Sequence, residues 1–276
     1  MHQPLVVLTY PGHFLLTALT IRSYFRHHPV VPTTVIVDDV ATDAWPKYLS
    51  DCAELYAPAT IVPVSQLPQT NLFRHEGWIR QQIIKLYLDQ ILPFDTWFFT
   101  DGDIEFNTPV PHDAVPYTIT RGGLTQDQQN AYVSALLNAT PGVFDKKQVC
   151  VSHPPFRTMR AQDLAQLRTH VEQQVGCDFA DWHKDHLTHN GGELTPDGSP
   201  QYLMSEWELL ATFQSTVLQQ DINLTQFQTD YTIGETPKTC GTCFCTDSGL
   251  ERDWWHTHAG IGVADRIWNT ISKISK

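Results

Sequence analysis

No run of about 18 consecutive apolar residues occurs in the chain, so no segment is long and apolar enough to cross a membrane as a helix. Basic residues are scarce: 18 Lys and Arg face 30 Asp and Glu, for a formal charge of −12. That balance excludes a broad phosphate-backbone surface, and with it nucleic acid as an expected partner. It leaves room for a small anion held locally by a metal ion and one or two bases. The opening residues Met1 to Tyr10 carry no basic stretch and no cleavage site and pass straight into a strand pattern, so no signal peptide and a cytoplasmic location are expected. No internal repeat and no low-complexity linker interrupt the 276 residues, enough for one large α/β domain or two small ones, of which one domain with two lobes fits best.

Cysteine is sparse too, and without a secretion signal its six thiols, Cys52, Cys150, Cys177, Cys240, Cys243 and Cys245, are expected to be reduced. Cys240, Cys243 and Cys245 form a CxxCxC cluster with the spacing of a structural zinc site, whose fourth ligand would come from Cys177 or His256. A second CxxC pair is missing, and free loop thiols explain the cluster as well. Tryptophan is generous at eight, and most of it belongs to core and rim packing.

Leu5 to Thr9 is a continuous apolar run, the pattern of a parallel strand covered on both faces. Apolar residues at helical spacing then predict a helix over Phe14 to Phe25. Strands are expected over Thr33 to Val37, closed by Asp38-Asp39, and over Ala59 to Val64, with a short helix over Lys47 to Leu55 between them. This βαβαβ opening calls for a parallel sheet with right-handed crossovers. Residues 65 to 75 read as loop. Trp78 to Leu92 is the clearest helix, stopped by Pro93. Beyond residue 110 the expected elements are a strand over Tyr117 to Arg121, helices over Thr125 to Asn138 and Arg160 to Val175, and a Gly/Pro loop over 188 to 200. A helix over Ser205 to Leu218 opens on Ser205 with Glu208 three residues on, the capping-box pattern. Two strand-like pieces and a final helix follow Asp230.

The most informative stretch is Trp97-Phe98-Phe99-Thr100-Asp101-Gly102-Asp103-Ile104-Glu105-Phe106-Asn107. An aromatic strand pattern ends abruptly in Asp-Gly-Asp. Two carboxylates one residue apart at a strand end repel each other and lose hydration. A divalent cation with oxygen preference, Mg²⁺ or Mn²⁺, makes the arrangement favourable. Tyr10, Asp38, Asp39, Asp101 and Asp103 all fall at the carboxyl ends of predicted strands, where open α/β sheets bind ligands.

A nucleotide-binding α/β half, an apolar strand ending in Asp-x-Asp and an irregular second half together resemble the GT-A glycosyltransferases. Gly77-Trp78-Ile79-Arg80-Gln81-Gln82-Ile83-Ile84-Lys85-Leu86 followed by the 97–103 stretch is similar to one group of bacterial and viral GT-A transferases, largely uncharacterised. The His153-Pro154-Pro155-Phe156 segment, Ser205-Glu206-Trp207 and the stretch around His258 are similar to the same group. The resemblance implies a GT-A-like, Rossmann-type mixed sheet flanked by helices. It implies one domain over 1–276, with a nucleotide-sugar half at 1–110 and an acceptor half at 111–276. It also implies a hexosyl or pentosyl transfer from a nucleotide-diphosphate sugar to a carbohydrate or other hydroxyl acceptor.

By the resemblance, Asp103 is a direct metal ligand, and Asp101 is a ligand or a contact to ribose and metal-bound water. His258 is the third ligand, with His256 second in line; packed rings beside Trp254 and Trp255 are the other reading of both. Arg80 is placed near the donor sugar or diphosphate, and Lys85 near the phosphates or the acidic pair. Gln81 lies four residues from Lys85 on the same helix face. A solvated face on which Lys85 pairs with Asp89 accounts for the same residues. Tyr10 would stack on the nucleobase, and Asp38 or Asp39 would accept from a base N–H or a ribose hydroxyl, though a polar strand end and turn suits one of the two. Glu206 is the candidate acid for the acceptor hydroxyl, unless it only steadies a helix start. His153 is a candidate for the acceptor cleft. A metal-dependent phosphohydrolase or a non-catalytic sugar-nucleotide-binding protein are the alternatives; the first usually needs a second cluster of carboxylates.

Overall fold

The computed structural model describes residues 3–10, 14–41, 56, 58–106, 108–119, 124–139, 143–144, 147–150, 156–187, 202–226, 229–230 and 241–243. The chain forms two compact units. One draws on Met1–Pro63, Phe98–His112 and Phe227–Lys276, the other on Val64–Trp97 and Asp113–Gln226.

In the first unit, β1 (Leu5–Thr9) is buried at every residue, as its unbroken apolar sequence requires of a strand covered on both faces. It pairs in parallel with β2 (Thr33–Val37), and β2 pairs in parallel with β3 (Thr60–Pro63). The chain then returns to the other side of β1, where β4 (Thr96–Asp101) is also parallel. The order is therefore β3-β2-β1-β4, with a reversal between β1 and β4. The helix α1 (Phe14–Phe25) buries Ala18, Leu19, Ile21 and Tyr24. Burial of side chains the size of Leu19 and Ile21 contributes about 1.5–3 kcal/mol each. Tyr24 stacks on Phe98 with centroids 5.5 Å apart and meets the edge of Phe106 at 5.6 Å. Its hydroxyl lies 2.8 Å from His112 Nε2, and burial raises its pKa, so it keeps its proton. A short strand β5 (Ile104–Phe106) pairs antiparallel with Gly241–Cys243, which pairs in parallel with Thr229–Asp230.

The second unit begins with turns of 3₁₀ helix at Val64–Gln66 and Pro68–Phe73, where the sequence predicts loop. The helix α2 (Gly77–Tyr87) follows and continues as a 3₁₀ turn, Leu88–Gln90. A mixed sheet joins Leu224–Gln226 in parallel to β6 (Val115–Ile119), and β6 antiparallel to Lys147–Cys150. Helices α3 (Leu124–Leu137), α4 (Ala161–Val175), α5 (Phe179–His186) and α6 (Glu206–Thr212) pack against one another, and α4 also packs on the strand Phe156–Arg160. Gly176 stops α4 in the left-handed conformation at φ 76°, its N–H bonding the Glu172 carbonyl. Asp178 caps α5 by accepting from the N–H groups of Ala180 and Asp181.

Two expectations are corrected here. The helix over Ser205 to Leu218 is seven residues of α-helix and then a π-helical turn at Phe213–Val217. The capping box does not form: Ser205 makes no side-chain cap, and Glu208 is fully buried. The interior explains why. Arg157 donates to Gln214 Oε1 at 2.6 Å, Gln214 Nε2 donates to Asp163 Oδ2 at 2.7 Å, and Gln220 Nε2 donates to Asp163 Oδ1 at 3.2 Å. This ladder draws the segment after Thr212 toward α4. Burial lowers the pKa of Arg157 to about 10, against the opposing pull of Asp163, Glu208 and Glu206, so the guanidinium stays charged at neutral pH. The helix expected over Lys47 to Leu55 and the final helix lie outside the described residues.

Candidate functional site

Asp101 is the last residue of β4, level with Leu8 of β1. Thr9 is level with Val37 of β2, and the N–H of Asp38 bonds the Thr9 carbonyl at 2.9 Å. Tyr10, Asp38 and Asp101 therefore leave three neighbouring parallel strands at the same end. The reversal of strand order falls between β1 and β4, which is where open sheets of this kind open a ligand crevice. Asp38 is buried, whereas Tyr10 and Asp39 are half-buried, Asp39 opening the short turn Asp39–Ala41.

The Asp-Gly-Asp turn is held from below. A Cβ on Gly102 would collide with Thr17 Oγ1 and lie 2.7 Å from the Leu8 carbonyl oxygen, so this position admits only glycine without displacement. Thr17 Oγ1 lies 2.6 Å from Thr9 Oγ1 and 3.3 Å from the Gly102 carbonyl. The N–H of Ile104 donates to Thr20 Oγ1 at 3.1 Å, and that of Phe106 to Ser23 Oγ at 2.9 Å. All three α1 hydroxyls are buried. What marks them in the sequence is a hydroxyl at every third position of a largely apolar helix. Asp101 and Asp103, by contrast, are half-buried, with Asp103 Oδ1 itself buried.

Two carboxylates on a turn seated this closely against the sheet form an oxygen donor set of the type that Mg²⁺ or Mn²⁺ takes. Among the described residues, no three His, Cys, Asp or Glu side chains gather into a metal-binding group. His258, His256, His153, Cys240 and Cys245 lie outside the described residues, as does the side chain of Cys243. Cys177 is exposed just beyond α4.

The remaining predicted residues belong to the second unit. Arg80 is buried, and its Nη1 donates to the carbonyls of Phe73 at 2.8 Å and Arg74 at 2.7 Å, tying α2 to the turn before it. Gln81 is half-buried on the same helix. Lys85 is buried and pairs with Glu206 at 2.9 Å, its Nζ also 5.2 Å from the centre of the Trp207 ring. The Gln82 amide, with its nitrogen toward Glu206, donates to both carboxylate oxygens. The pairing of Lys85 with Asp89 on a solvated face is overturned. Asp89 instead takes a two-pronged contact from Arg168 at 2.7 and 2.6 Å, and Arg168 also donates to the Leu86 carbonyl. Lys85 points inward because α2 is covered on nearly every side.

Nearby within this unit, His183 Nδ1 donates to the Phe179 carbonyl at 2.6 Å, so Nε2 is free to accept from the Tyr132 hydroxyl at 2.7 Å. Burial holds this histidine neutral, with its pKa lowered to about 4. Burial, and then the charge of Glu206, push the pKa of Tyr132 well up, which keeps the proton it donates.

The parallel order β3-β2-β1-β4, the acidic turn at its reversal and the mixed second sheet are those of a GT-A-like fold. The chain belongs to the DUF6492 family, a family of unknown function whose model matches residues 13–209. No curated protein matches the sequence. Among solved structures it is similar to the galactosyltransferase LgtC in complex with donor and acceptor sugar analogs, at 9% identity over 99% of this chain and 96% of that one, with a TM-score of 0.51. Weaker likenesses include the inositol-1-phosphate CTP transferase from T. maritima, at 10% identity over 100% of this chain and 97% of that one, with a TM-score of 0.40. The apo bifunctional glycosyltransferase WbbM is similar at 9% identity over 63% of this chain and 34% of that one, with a TM-score of 0.34. At such identities the likeness to LgtC defines the fold. No helix among the described residues is long and apolar enough to cross a membrane.

Proposed function

We propose that this chain is a cytoplasmic, metal-dependent glycosyltransferase that moves a hexosyl or pentosyl group from a nucleotide-diphosphate donor to an acceptor hydroxyl. The observation that carries the reading is the seated Asp101-Gly102-Asp103 turn at the strand-order reversal. Asp101 and Asp103 would hold Mn²⁺ or Mg²⁺, with His258 as the third ligand. The ion supplies Lewis-acid stabilisation of the charge that builds on the leaving diphosphate. Tyr10 would stack on the nucleobase, and Asp38 or Asp39 would accept from a base N–H or ribose hydroxyl.

Arg80, Gln81 and Lys85 are the donor-side cations and amide of this proposal. Arg80 already holds two carbonyls, so its contribution is a fixed positive charge rather than a mobile contact, whereas the charge of Lys85 is balanced by Glu206 and its contribution is to hold that acid in place. Glu206, oriented by Lys85 and Gln82, is assigned to the acceptor hydroxyl.

The test is a panel of sugar nucleotides with Mn²⁺, following nucleotide release with and without EDTA. One preferred donor and loss of release with EDTA are expected. Asp103→Ala should lower turnover by at least about 100-fold, the scale of losing electrostatic stabilisation at a leaving group, with an unchanged far-UV spectrum. Near-normal turnover by that variant, or cleavage of simple phosphoesters without donor preference, would refute the assignment.

A further inference from the structure

We propose that Thr17 and Thr20 are positioning residues that set where Asp103 presents its carboxylate, a proposal that rests on the metal-binding reading of the Asp101–Asp103 turn. The acids leave the sheet at Asp101, where the β4 ladder ends, so the sheet does not fix the next residues. Helix α1 does. Thr17 Oγ1 lies 3.3 Å from the carbonyl of Gly102, and Thr20 Oγ1 accepts the N–H of Ile104 at 3.1 Å. These two groups flank Asp103 on either side, so the peptide units before and after it are both anchored to one helix face.

The anchors are themselves fixed. Thr17 lies against the Thr9 hydroxyl at 2.6 Å, which links it to the end of β1. Ser23 gives its proton to the Thr20 carbonyl at 2.9 Å and accepts the N–H of Phe106 at 2.9 Å, so the same face continues along β5. Residues three apart on a helix share a face, and all three hydroxyls are fully buried. A buried N–H that loses its acceptor must move or remain unpaired. The response of the turn to losing Thr20 is therefore a shift of Asp103 itself. Ser23 performs the same hydrogen-bonding task three residues beyond Asp103 in sequence, which makes it an internal control.

Mn²⁺ binding to the full chain, read by electron paramagnetic resonance of the free ion with and without UDP or GDP, tests this without any turnover. Thr20→Val should weaken Mn²⁺ binding by about 10-fold or more, the usual cost of losing the support behind a metal ligand. Thr17→Val should weaken it similarly, and Thr20→Ser should restore it to within about threefold of the parent chain, because the acceptor oxygen returns. Ser23→Ala should lower the melting temperature as much as Thr20→Val does, yet leave Mn²⁺ affinity within about threefold, because its anchor lies beyond the turn. If Thr20→Val does not fold, Thr17→Val and Thr20→Ala carry the comparison. Unchanged Mn²⁺ affinity in the threonine variants, when Asp103→Ala has lost it, overturns the positioning role alone. Unchanged affinity in Asp103→Ala overturns the metal site and the positioning role with it. Equal loss in Ser23→Ala and Thr20→Val reduces the stripe to a stabilising contact and also overturns the proposal.

Discussion

Replacing Lys85 by methionine isolates the energetics of the second unit's interior. The Lys85 and Glu206 side chains are only 4% and 6% exposed and meet at 2.9 Å, while the ammonium also lies over Trp207. Methionine keeps most of the stem's volume and its contact with the ring, so the change is chiefly electrostatic. Removing one partner leaves a carboxylate with little water, its ion-pair partner gone and only the pull of Arg157 remaining, a loss of about 3–5 kcal/mol. Gln82 still donates to that carboxylate, which places the expected loss near the lower end, about 3 kcal/mol. A second chain carrying Lys85→Met with Glu206→Leu removes both charges and should recover most of the loss, since well-packed apolar pairs of similar volume are about as stable as buried ion pairs. Urea unfolding followed by tryptophan fluorescence measures both chains. A single variant within about 1 kcal/mol of the parent, or a double variant worse than the single, would show that the pair is solvated and the reasoning wrong.

Gly102→Ala should destabilise the first unit by about 1–3 kcal/mol, because the new methyl meets Thr17 Oγ1 and the Leu8 carbonyl; a melting temperature equal to the parent's would contradict the close approach. A pH dependence follows from His183. Its folded pKa of about 4 lies below the ordinary 6.5, so the unfolded chain binds the extra proton between those values. Stability is therefore complete above about pH 6.5 and falls as pH drops toward 4, by roughly 3 kcal/mol from this group. His183→Gln should flatten that part of the urea-midpoint profile between pH 4 and 6.5, and an unaltered slope would remove His183 as its source.

The elements that could be read from sequence were those whose burial is simple. Leu5–Thr9 and Thr33–Val37 are strands of uninterrupted apolar or β-branched residues, and Phe14–Phe25 is a helix with apolar residues at regular spacing; all three fall where the pattern places them. The acidic turn was legible for the opposite reason, as charge where a strand should end. What escaped was the polar interior. The strand at Phe156–Arg160 was not anticipated because Arg157 is buried within it, breaking the expected alternation. Helix α5 has eight residues, too few to establish a period. The Lys85–Glu206 pair joins residues 121 apart, a partnership that no local rule reaches. Ser205 and Glu208 had capping-box spacing, but tertiary burial of Glu208 prevailed over the local motif.

The ladder from Arg157 through Gln214 to Asp163 and Gln220 has a consequence for anyone recombining this chain with a homologue. Hydrocarbon interfaces tolerate grafts that are merely similar in bulk, whereas a ladder of directed donors and acceptors is stereospecific. A crossover placed between Arg160 and Phe213 would part a donor from its acceptor while preserving every local propensity. Transplants should therefore carry Arg157, Asp163 and the whole 205–220 segment as one inheritable block, with junctions made outside it.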